Sequence, residues 1–214
     1  MGLKDYLEGR DERQVLERSM TEAGRLPPGQ SATIKWPVLH TGAVPDFDAT
    51  TWDFRVGGLV DRPLALSYAE LGALPRAEIV SDFHCVTRWS TFDNRWEGVA
   101  LREILARVKP AQEATHVMAL GHAGDRRYGY STNLPLADLD RANVLLAWRQ
   151  NGADLSPDHG WPLRLVVPHL YAWKSCKWVR GLIFMDEDKP GYWQRLGYHN
   201  HGDPFQEQRF SNDY

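Results

Sequence analysis

Cysteine is scarce in this sequence, which has only Cys85 and Cys176 among its 214 residues. A disulfide scaffold uses more cysteines, and a structural zinc site uses a paired C-x2-C spacing, so neither is expected. No apolar run approaches the roughly 20 residues of a membrane helix. The N-terminal residues contain neither an apolar signal-peptide core nor a twin-arginine pair. We therefore expect a cytoplasmic protein without a membrane segment.

An excess of charge of either sign is also missing. The formal net charge is -3, and acidic and basic residues are interspersed along the chain. Because nucleic-acid binding needs a basic face, this balance argues against a nucleic acid as partner. Hydrophobic residues make up 43% and charged residues 25%, which is typical of a globular protein, and the length suits one sizeable domain.

The first residues differ in character from the rest of the chain. Residues 5–24 are charged and favour a helix, and Gly24 and the pair Pro27-Pro28 end it. We therefore expect an N-terminal helical arm over residues 1–28, packed on a single domain of residues 29–214. Residues 29–52 lack periodicity and predict a long ordered loop.

The domain itself shows more strand patterns than helix patterns. Ser67 and Glu70 have the spacing of a capping box that opens a short helix through Leu74, and residues 99–108 show helical periodicity. Asn151-Gly152 predicts a hairpin turn. Because strands outnumber helices and do not alternate with them, we expect an α+β fold. The predicted strands are 52–60, 77–83, 115–120, 143–148, 163–167 and 178–185.

The first candidate site surrounds Cys85, where a predicted strand ends in a polar, aromatic loop. His84 and Arg88 stand close by in the sequence, and we expect their positive charge to lower the pKa of the thiol. A thiolate attacks a substrate or binds a soft metal. Three interpretations stay open at this point: a metal-bound thiolate, a nucleophile, or a buried structural cysteine.

Two further segments carry groups suited to binding an anion. His159 and Arg164 flank a tight turn in D-H-G-W-P-L-R, and an arginine fork suits phosphate oxygens. The alternative is that Arg164 pairs with a surface acid. In residues 171–178, Lys174 and Lys177 flank a small residue and a cysteine in a turn. This is either an anion-binding nest or two solvated lysines at a strand end.

A fourth segment, residues 191–201, combines aromatic residues, an arginine and two histidines. Such a loop is suited to cover a polar cleft. His199 and His201 are also candidate metal ligands, although two histidines without a third ligand form a weak pattern.

Together the four segments resemble the molybdenum-binding domain of the sulfite oxidase family, including its bacterial relatives, the molybdopterin-dependent sulfoxide reductase catalytic subunits. The similarity runs from about Trp36 to Tyr198. A cysteine loop is followed by H-G-x-P-[LV]-R-x-V-V-P, then by K-S-x-K-W and then by Y-W-Q-x-x-x-Y, and this order is specific. The resemblance implies a sulfite-oxidase-type fold of mixed β-sheets with flanking helices. It also implies the cofactor molybdenum-molybdopterin (Mo-MPT), in the simple form because no further nucleotide-binding motif is present.

The resemblance also assigns roles to individual residues. Cys85 is implied as the molybdenum ligand, and Tyr198 as the active-site tyrosine. The remaining assignments concern the pterin and its phosphate. The residues implied for cofactor binding are Trp36, His40, Cys85, His122, His159, Arg164, Lys174, Ser175, Cys176 and Lys177.

The sequence departs from sulfite oxidases at two arginine positions that help to bind anionic sulfite, which hold Val38 and Ser90 here. We expect Arg88 to compensate in part and to orient the substrate together with Tyr198. The haem and dimerisation domains of animal sulfite oxidases are also missing from the sequence, so we expect a monomer.

The resulting hypothesis is oxygen-atom transfer between water and a small substrate. The chain contains no C-x-x-C-H haem motif and no iron–sulfur cysteine cluster, so an external carrier would exchange the electrons. Two alternatives remain. One is a Cys–His hydrolase or transferase with Cys85 as nucleophile and His84 or His159 as base, and the other is a non-catalytic pterin-binding relative.

Overall fold

The computed structural model describes residues 3–122 and 129–211. The outermost residues of the predicted arm and domain, 1–2 and 212–214, lie outside the described residues. Within these ranges the chain forms eleven strands and five α-helices. In chain order they are α1 (Leu3–Glu22), β1 (Ser31–Ala32), β2 (Asp53–Gly58), β3 (Leu64–Ser67), α2 (Tyr68–Gly72), β4 (Arg76–Cys85), β5 (Trp89–Ala100), α3 (Leu101–Val108), β6 (His116–Gly121), β7 (Tyr130–Pro135), α4 (Leu136–Leu139), β8 (Leu145–Gln150), β9 (Ala153–Asp154), β10 (Arg164–Val166), β11 (Val179–Met185) and α5 (Tyr192–Arg195).

The strands form two mixed sheets. The first has the order β1-β5-β8-β10, with β4 also paired to β5 and β9 to β8. Its pairs are antiparallel except for β1 with β5. The second has the order β3-β2-β11-β6-β7, in which only β2 and β11 are parallel. The α+β class with mixed sheets and flanking helices is therefore confirmed.

The main hydrophobic core joins the two sheets. It contains Val56 of β2 and Leu182 of β11 from the second sheet, together with Leu146 of β8 and Leu165 of β10 from the first. Ile104 of α3 is completely buried in the same core. Because alternate residues of a strand face opposite sides of its sheet, the first sheet also has a second apolar face, with a separate cluster around Phe83 and Trp96.

Several local predictions are confirmed. The Ser67 hydroxyl accepts a hydrogen bond from the Glu70 backbone N–H at 3.3 Å, and the Glu70 carboxylate accepts one from the Ser67 N–H at 2.8 Å. Asn151 and Gly152 join β8 to β9 with φ angles of 51° and 80°. Two positive φ values are the backbone of the tight turn that this dipeptide predicts.

The sequence predicts no strand between residue 83 and residue 99, where the twelve-residue β5 lies. The helix predicted over residues 99–108 is present and begins at Leu101. The sequence of β5 includes Gly98, which favours neither helix nor strand. Gly98 lies so close to β8 that a Cβ at this position would be 2.0 Å from the Leu146 carbonyl oxygen. Long-range contact between β5 and β8 therefore requires glycine here.

The N-terminal helix α1 is joined to the rest of the chain by polar contacts. The Glu17 carboxylate accepts a hydrogen bond from the Ala32 N–H at 2.9 Å. Just after the helix, the Arg25 guanidinium lies 2.6 Å from the carboxylates of both Asp82 and Asp93. The division between an arm and a domain at residue 28 stays a prediction. Among the residues described, no helix has the length and apolar character needed to cross a lipid bilayer.

Candidate functional site

A cavity of about 300 Å³ lies where the four segments singled out in the sequence meet. Its walls come from the loop after β1, the end of β4, the start of β10, the turn before β11 and the C-terminal region. Most of the predicted site residues line it. They are Trp36, His40, Cys85, His159, Arg164, Ser175, Cys176, Lys177 and Tyr198.

Cys85 stands at the end of β4, where a three-residue turn leads into β5. The Arg88 N–H donates to the Cys85 carbonyl at 3.0 Å, and Arg88 has a φ of 69°. A turn closed by one left-handed residue is a common hairpin connection. The Cys85 side chain is buried, and its sulfur accepts a hydrogen bond from the Thr87 hydroxyl at 3.2 Å.

The expected lowering of the Cys85 pKa by His84 and Arg88 is wrong. Burial raises the pKa of the Cys85 thiol, and hydrogen bonds from Thr87 and the charges of Arg164 and Lys177 offset this only in part. Burial also lowers the pKa of His84 to about 4. The His84 ring is therefore neutral near pH 7 and contributes no positive charge.

This environment also bears on the alternative of a Cys–His nucleophile. The His84 ring forms its hydrogen bond with the Ser90 hydroxyl at 2.8 Å. The His159 ring lies parallel to Trp36, with 3.8 Å between the ring centres. These contacts join neither ring to the Cys85 sulfur. A buried thiol with a raised pKa is a poor nucleophile, whereas a metal deprotonates the thiol that coordinates it.

Arg164 is a buried cation at the cavity wall. Its guanidinium donates to the His159 carbonyl at 2.8 Å and packs over the rings of Trp36 and Phe83 at 5.3 and 5.0 Å. Burial lowers the pKa of Arg164 to about 10, so it is charged at neutral pH. Among the residues described, no carboxylate pairs with it, so the alternative of a surface ion pair is wrong. A buried charge without a partner is costly, which indicates that an anion binds here.

Lys177 lines the same cavity and hydrogen-bonds to two of the segments that surround it. Its ammonium donates to the Leu39 carbonyl at 2.9 Å and to the Asp158 carbonyl at 2.5 Å. Burial, and then the charge of Arg164, lower the pKa of Lys177 to about 7. Burial and the same two cations lower the pKa of His159 to about 4. His159 is therefore a neutral ring that is available for stacking and hydrogen bonding.

The structure does not bring Arg88, His122 or Lys174 to the cavity wall. The Arg88 guanidinium points to the Gly29 carbonyl at 3.4 Å. His122 is exposed and adjoins residues 123–128, which lie outside the described residues. Lys174 lies in the same turn as Lys177, but its ammonium contacts Asn133 and Asn200 instead.

Lys174 is completely buried, and its ammonium holds two backbone segments together. It donates to the carbonyl and the side-chain oxygen of Asn133, at 2.7 and 3.3 Å, and to the carbonyl of Asn200. Burial lowers the pKa of Lys174 to about 7. These contacts assign Lys174 to the support of the C-terminal segment rather than to the cavity wall.

Replacing Lys174 by methionine is therefore expected to destabilise the cofactor-free protein by about 3 kcal/mol, because buried acceptors lose a charged donor. Urea unfolding measures the change. Lys35→Met, at an exposed lysine, is the matched control and should change the unfolding free energy little. Unchanged stability with impaired cofactor binding would instead support the role inferred from the sequence.

Tyr198 contributes an aromatic wall near the cysteine. Its ring packs against Trp173 and Trp193 with ring centres 5.2 and 5.1 Å apart. Burial, and then the Cys85 thiolate charge, raise the pKa of the Tyr198 phenol. The phenol is therefore protonated at neutral pH and can donate a hydrogen bond into the cavity.

His199 and His201 have structural contacts in this loop. His201 Nε2 lies 2.9 Å from a carboxylate oxygen of Asp138, and His199 Nδ1 accepts from the Gly202 N–H at 3.1 Å. No group of three or more His, Cys, Asp or Glu side chains in the described ranges could hold a metal ion. The metal-ligand interpretation of the two histidines is therefore not supported.

The sequence did not point to the wall formed by β7. Tyr130, Ser131 and Thr132 all line the cavity. These residues belong to a strand that the sequence did not predict, and they carry no motif, so no local signal marks them. Three more residues that line the cavity belong to the segments described in the sequence analysis but were not predicted as site residues. They are Thr87, Trp173 and Trp193.

Several residues that line the cavity carry buried polar atoms with no hydrogen-bond partner in the described parts of the chain. Such atoms are rare in folded proteins and call for a water or ligand partner. Their number at one cavity indicates a ligand rich in hydrogen-bonding groups. They are His40 Nδ1, Trp89 Nε1, Thr132 Oγ1, His159 Nδ1, Arg164 Nε and Trp173 Nε1.

Residues 41–193 match the model of the oxidoreductase molybdopterin binding domain. The chain belongs to this molybdopterin-binding family. The recognition made from the sequence is confirmed, and the chain is a molybdopterin-dependent oxidoreductase with a molybdenum-molybdopterin cofactor.

Individual relatives agree with the family. The chain is 49% identical to the "uncharacterized oxidoreductase YuiH" of Bacillus subtilis (strain 168), over 92% of this chain and 97% of YuiH. It is 31% identical to the sulfite oxidase of Gallus gallus, over 72% of this chain but only 39% of that protein. The crystal structure of the sulfane dehydrogenase SoxCD from Paracoccus pantotrophus shares the fold, with a TM-score of 0.60 and 23% identity over 72% of this chain and 42% of the other.

The residues present fit molybdopterin chemically. The metal needs a soft ligand, and Cys85 supplies sulfur. The cofactor phosphate needs an available cation, and Arg164 is a buried cation at the cavity wall that pairs with no carboxylate among the residues described. The pterin offers donors and acceptors, which suit the unsatisfied atoms of His40, His159 and Thr132.

Proposed function

We propose that this protein transfers an oxygen atom between water and a small substrate, and exchanges the two electrons with an external carrier. The observation that carries the proposal is the cavity shared by a buried cysteine and a buried arginine, which has no carboxylate partner within residues 3–122 and 129–211. A thiolate ligand and an isolated cation are the two protein groups that a metal bound to a phosphorylated pterin requires.

Different residues that line the cavity have different roles. Cys85 binds the metal, and Arg164 and Lys177 bind the phosphate. Trp36 and the neutral His159 ring are stacked with their centres 3.8 Å apart, and together they form an aromatic surface against which the pterin packs. The cofactor, when bound, supplies two-electron redox chemistry coupled to oxygen-atom transfer, while the protein positions it and excludes water.

The substrate end of the cavity is aromatic. Tyr198, Trp173 and Trp193 enclose it, and the protonated Tyr198 phenol donates a hydrogen bond to the oxygen being transferred. We do not propose that Arg88 orients the substrate, because its guanidinium is directed to the Gly29 carbonyl. The substrate is therefore a small molecule held mainly by aromatic contact and one phenolic donor.

The proposal is tested on protein expressed with ample molybdate. We expect about one molybdenum and one phosphorylated pterin per chain, determined by metal analysis and by identification of the released cofactor. A dye-linked assay with a panel of small oxygen donors and acceptors should show two-electron turnover. Loaded protein that turns over none of the panel would favour a non-catalytic pterin-binding relative.

Thiol labelling distinguishes the proposal from a Cys–His nucleophile. In Cys176→Ser protein, Cys85 is the only thiol. We expect iodoacetamide to label it only after the cofactor is removed, because metal coordination blocks the sulfur. Rapid labelling of the loaded protein would contradict metal ligation.

We also propose a cytoplasmic location and a monomeric state. The two free, unpaired cysteines are consistent with a reducing compartment. Cell fractionation tests the location. Size-exclusion chromatography with light scattering tests the state, and a stable dimer would contradict it.

A further inference from the structure

We propose that the Thr87 hydroxyl is a positioning residue that sets the electron donation of the Cys85 sulfur to the metal. The inference rests on the proposed ligation by Cys85. The contact that supports the inference does not depend on the cofactor. The Thr87 hydroxyl donates to the Cys85 sulfur at 3.2 Å from within the same turn.

The backbone around this contact is held from several sides. The Gln30 side chain donates to the Cys85 carbonyl at 3.1 Å, and the Arg88 N–H donates to the same oxygen at 3.0 Å. The Arg209 guanidinium donates to the Val86 carbonyl at 2.9 Å. These bonds fix the turn, so Thr87 keeps its place relative to the sulfur.

The side chain of Thr87 suits this role. Its β-branching restricts the χ1 angle, so the hydroxyl does not turn away freely. The hydroxyl therefore stays within hydrogen-bond distance of the Cys85 sulfur.

A hydrogen bond to a ligating thiolate withdraws electron density from the sulfur. The sulfur then donates less charge to the metal, which favours the reduced metal and raises its potential. Thr87 therefore acts through Cys85. Without its hydroxyl, the thiolate should donate more strongly and the oxidised metal should be favoured.

The test compares wild type with Thr87→Val, which keeps the shape and removes the hydroxyl, and with Thr87→Ser, which restores it. In Thr87→Val we expect the thiolate-to-molybdenum absorption to move to longer wavelength. The one-electron equilibrium should shift about threefold toward the oxidised metal, which is about 28 mV at 59 mV per tenfold. Thr87→Ser should return both values toward wild type.

Thr50→Val is the matched control, because the Thr50 hydroxyl donates to the Asp48 carboxylate at 2.7 Å, outside the cavity. It should leave the spectrum and the potential unchanged. Thr87→Ala is measured alongside Thr87→Val, and since Thr87 is exposed, we expect both variants to fold and to retain metal.

The outcomes separate this inference from the proposed function. Unchanged absorption and potential in Thr87→Val and Thr87→Ala, with the Cys85-dependent absorption intact, would overturn the role of Thr87 alone. An absorption spectrum that is the same in Cys85→Ser as in wild type would overturn the ligation and, with it, this inference.

Discussion

Cys85→Ser is expected to lose the thiolate-to-molybdenum absorption and to bind molybdenum at least about 100-fold more weakly. Loss of partners that only support a metal ligand already costs 10–100-fold, and this substitution removes the ligand itself. Serine is a much harder ligand than thiolate and does not deprotonate readily in a buried site. Metal analysis after dialysis against chelator measures the effect.

Cys176→Ser is the matched control for this experiment. Cys176 also lines the cavity, but its thiol donates to the Tyr130 carbonyl at 3.4 Å, and burial raises its pKa to about 12. We therefore expect Cys176→Ser to keep its metal and absorption. Equal metal content in Cys85→Ser and wild type would refute direct ligation.

Arg164→Met is expected to weaken cofactor retention by about 10- to 100-fold, because a charge-assisted contact with phosphate is worth about 1.5–3 kcal/mol. The cofactor-free variant should nevertheless be as stable as wild type or more stable. The guanidinium is buried against Trp36 and Phe83, and no carboxylate in the described part of the chain pairs with it. Methionine therefore removes a buried charge and keeps the packing.

Two measurements check this opposite effect on the loaded and the empty protein: released pterin per chain, and urea unfolding of the cofactor-free form. Arg164→Lys should retain an intermediate amount of cofactor, because it keeps the charge but loses the planar fork. Arg102→Met is the control, since Arg102 is exposed and contacts Asp140. A cofactor-free Arg164→Met that is clearly less stable would show that Arg164 is a structural residue.

The fold was predictable where the information is local. The capping box of Ser67 and Glu70 and the turn at Asn151-Gly152 depend on residues a few positions apart, and both are present. β5 was not predictable, because Gly98 becomes part of a strand only through its close contact with Leu146. Contacts between distant segments leave no periodic pattern in either segment alone.

In the candidate site too, the sequence could not distinguish two neighbouring residues that the fold places in different environments. Lys174 and Lys177 occupy one turn and are equivalent in the sequence. One is completely buried and donates to the carbonyls of Asn133 and Asn200, whereas the other faces the cavity. The direction of a side chain depends on what packs around the turn, so only the folded chain distinguishes the two lysines.

The family, the cofactor and the cysteine that we propose as metal ligand could be read from the amino-acid sequence, because they depend on residue types in a specific order. The electrostatics of the site could not be read from it. Cys85 adjoins His84 and Arg88 in the chain, but in the fold its charged neighbours are Arg164 and Lys177. Burial then makes His84 neutral and leaves Arg164 charged. Desolvation and distance set these pKa values, and both exist only after distant segments have packed together.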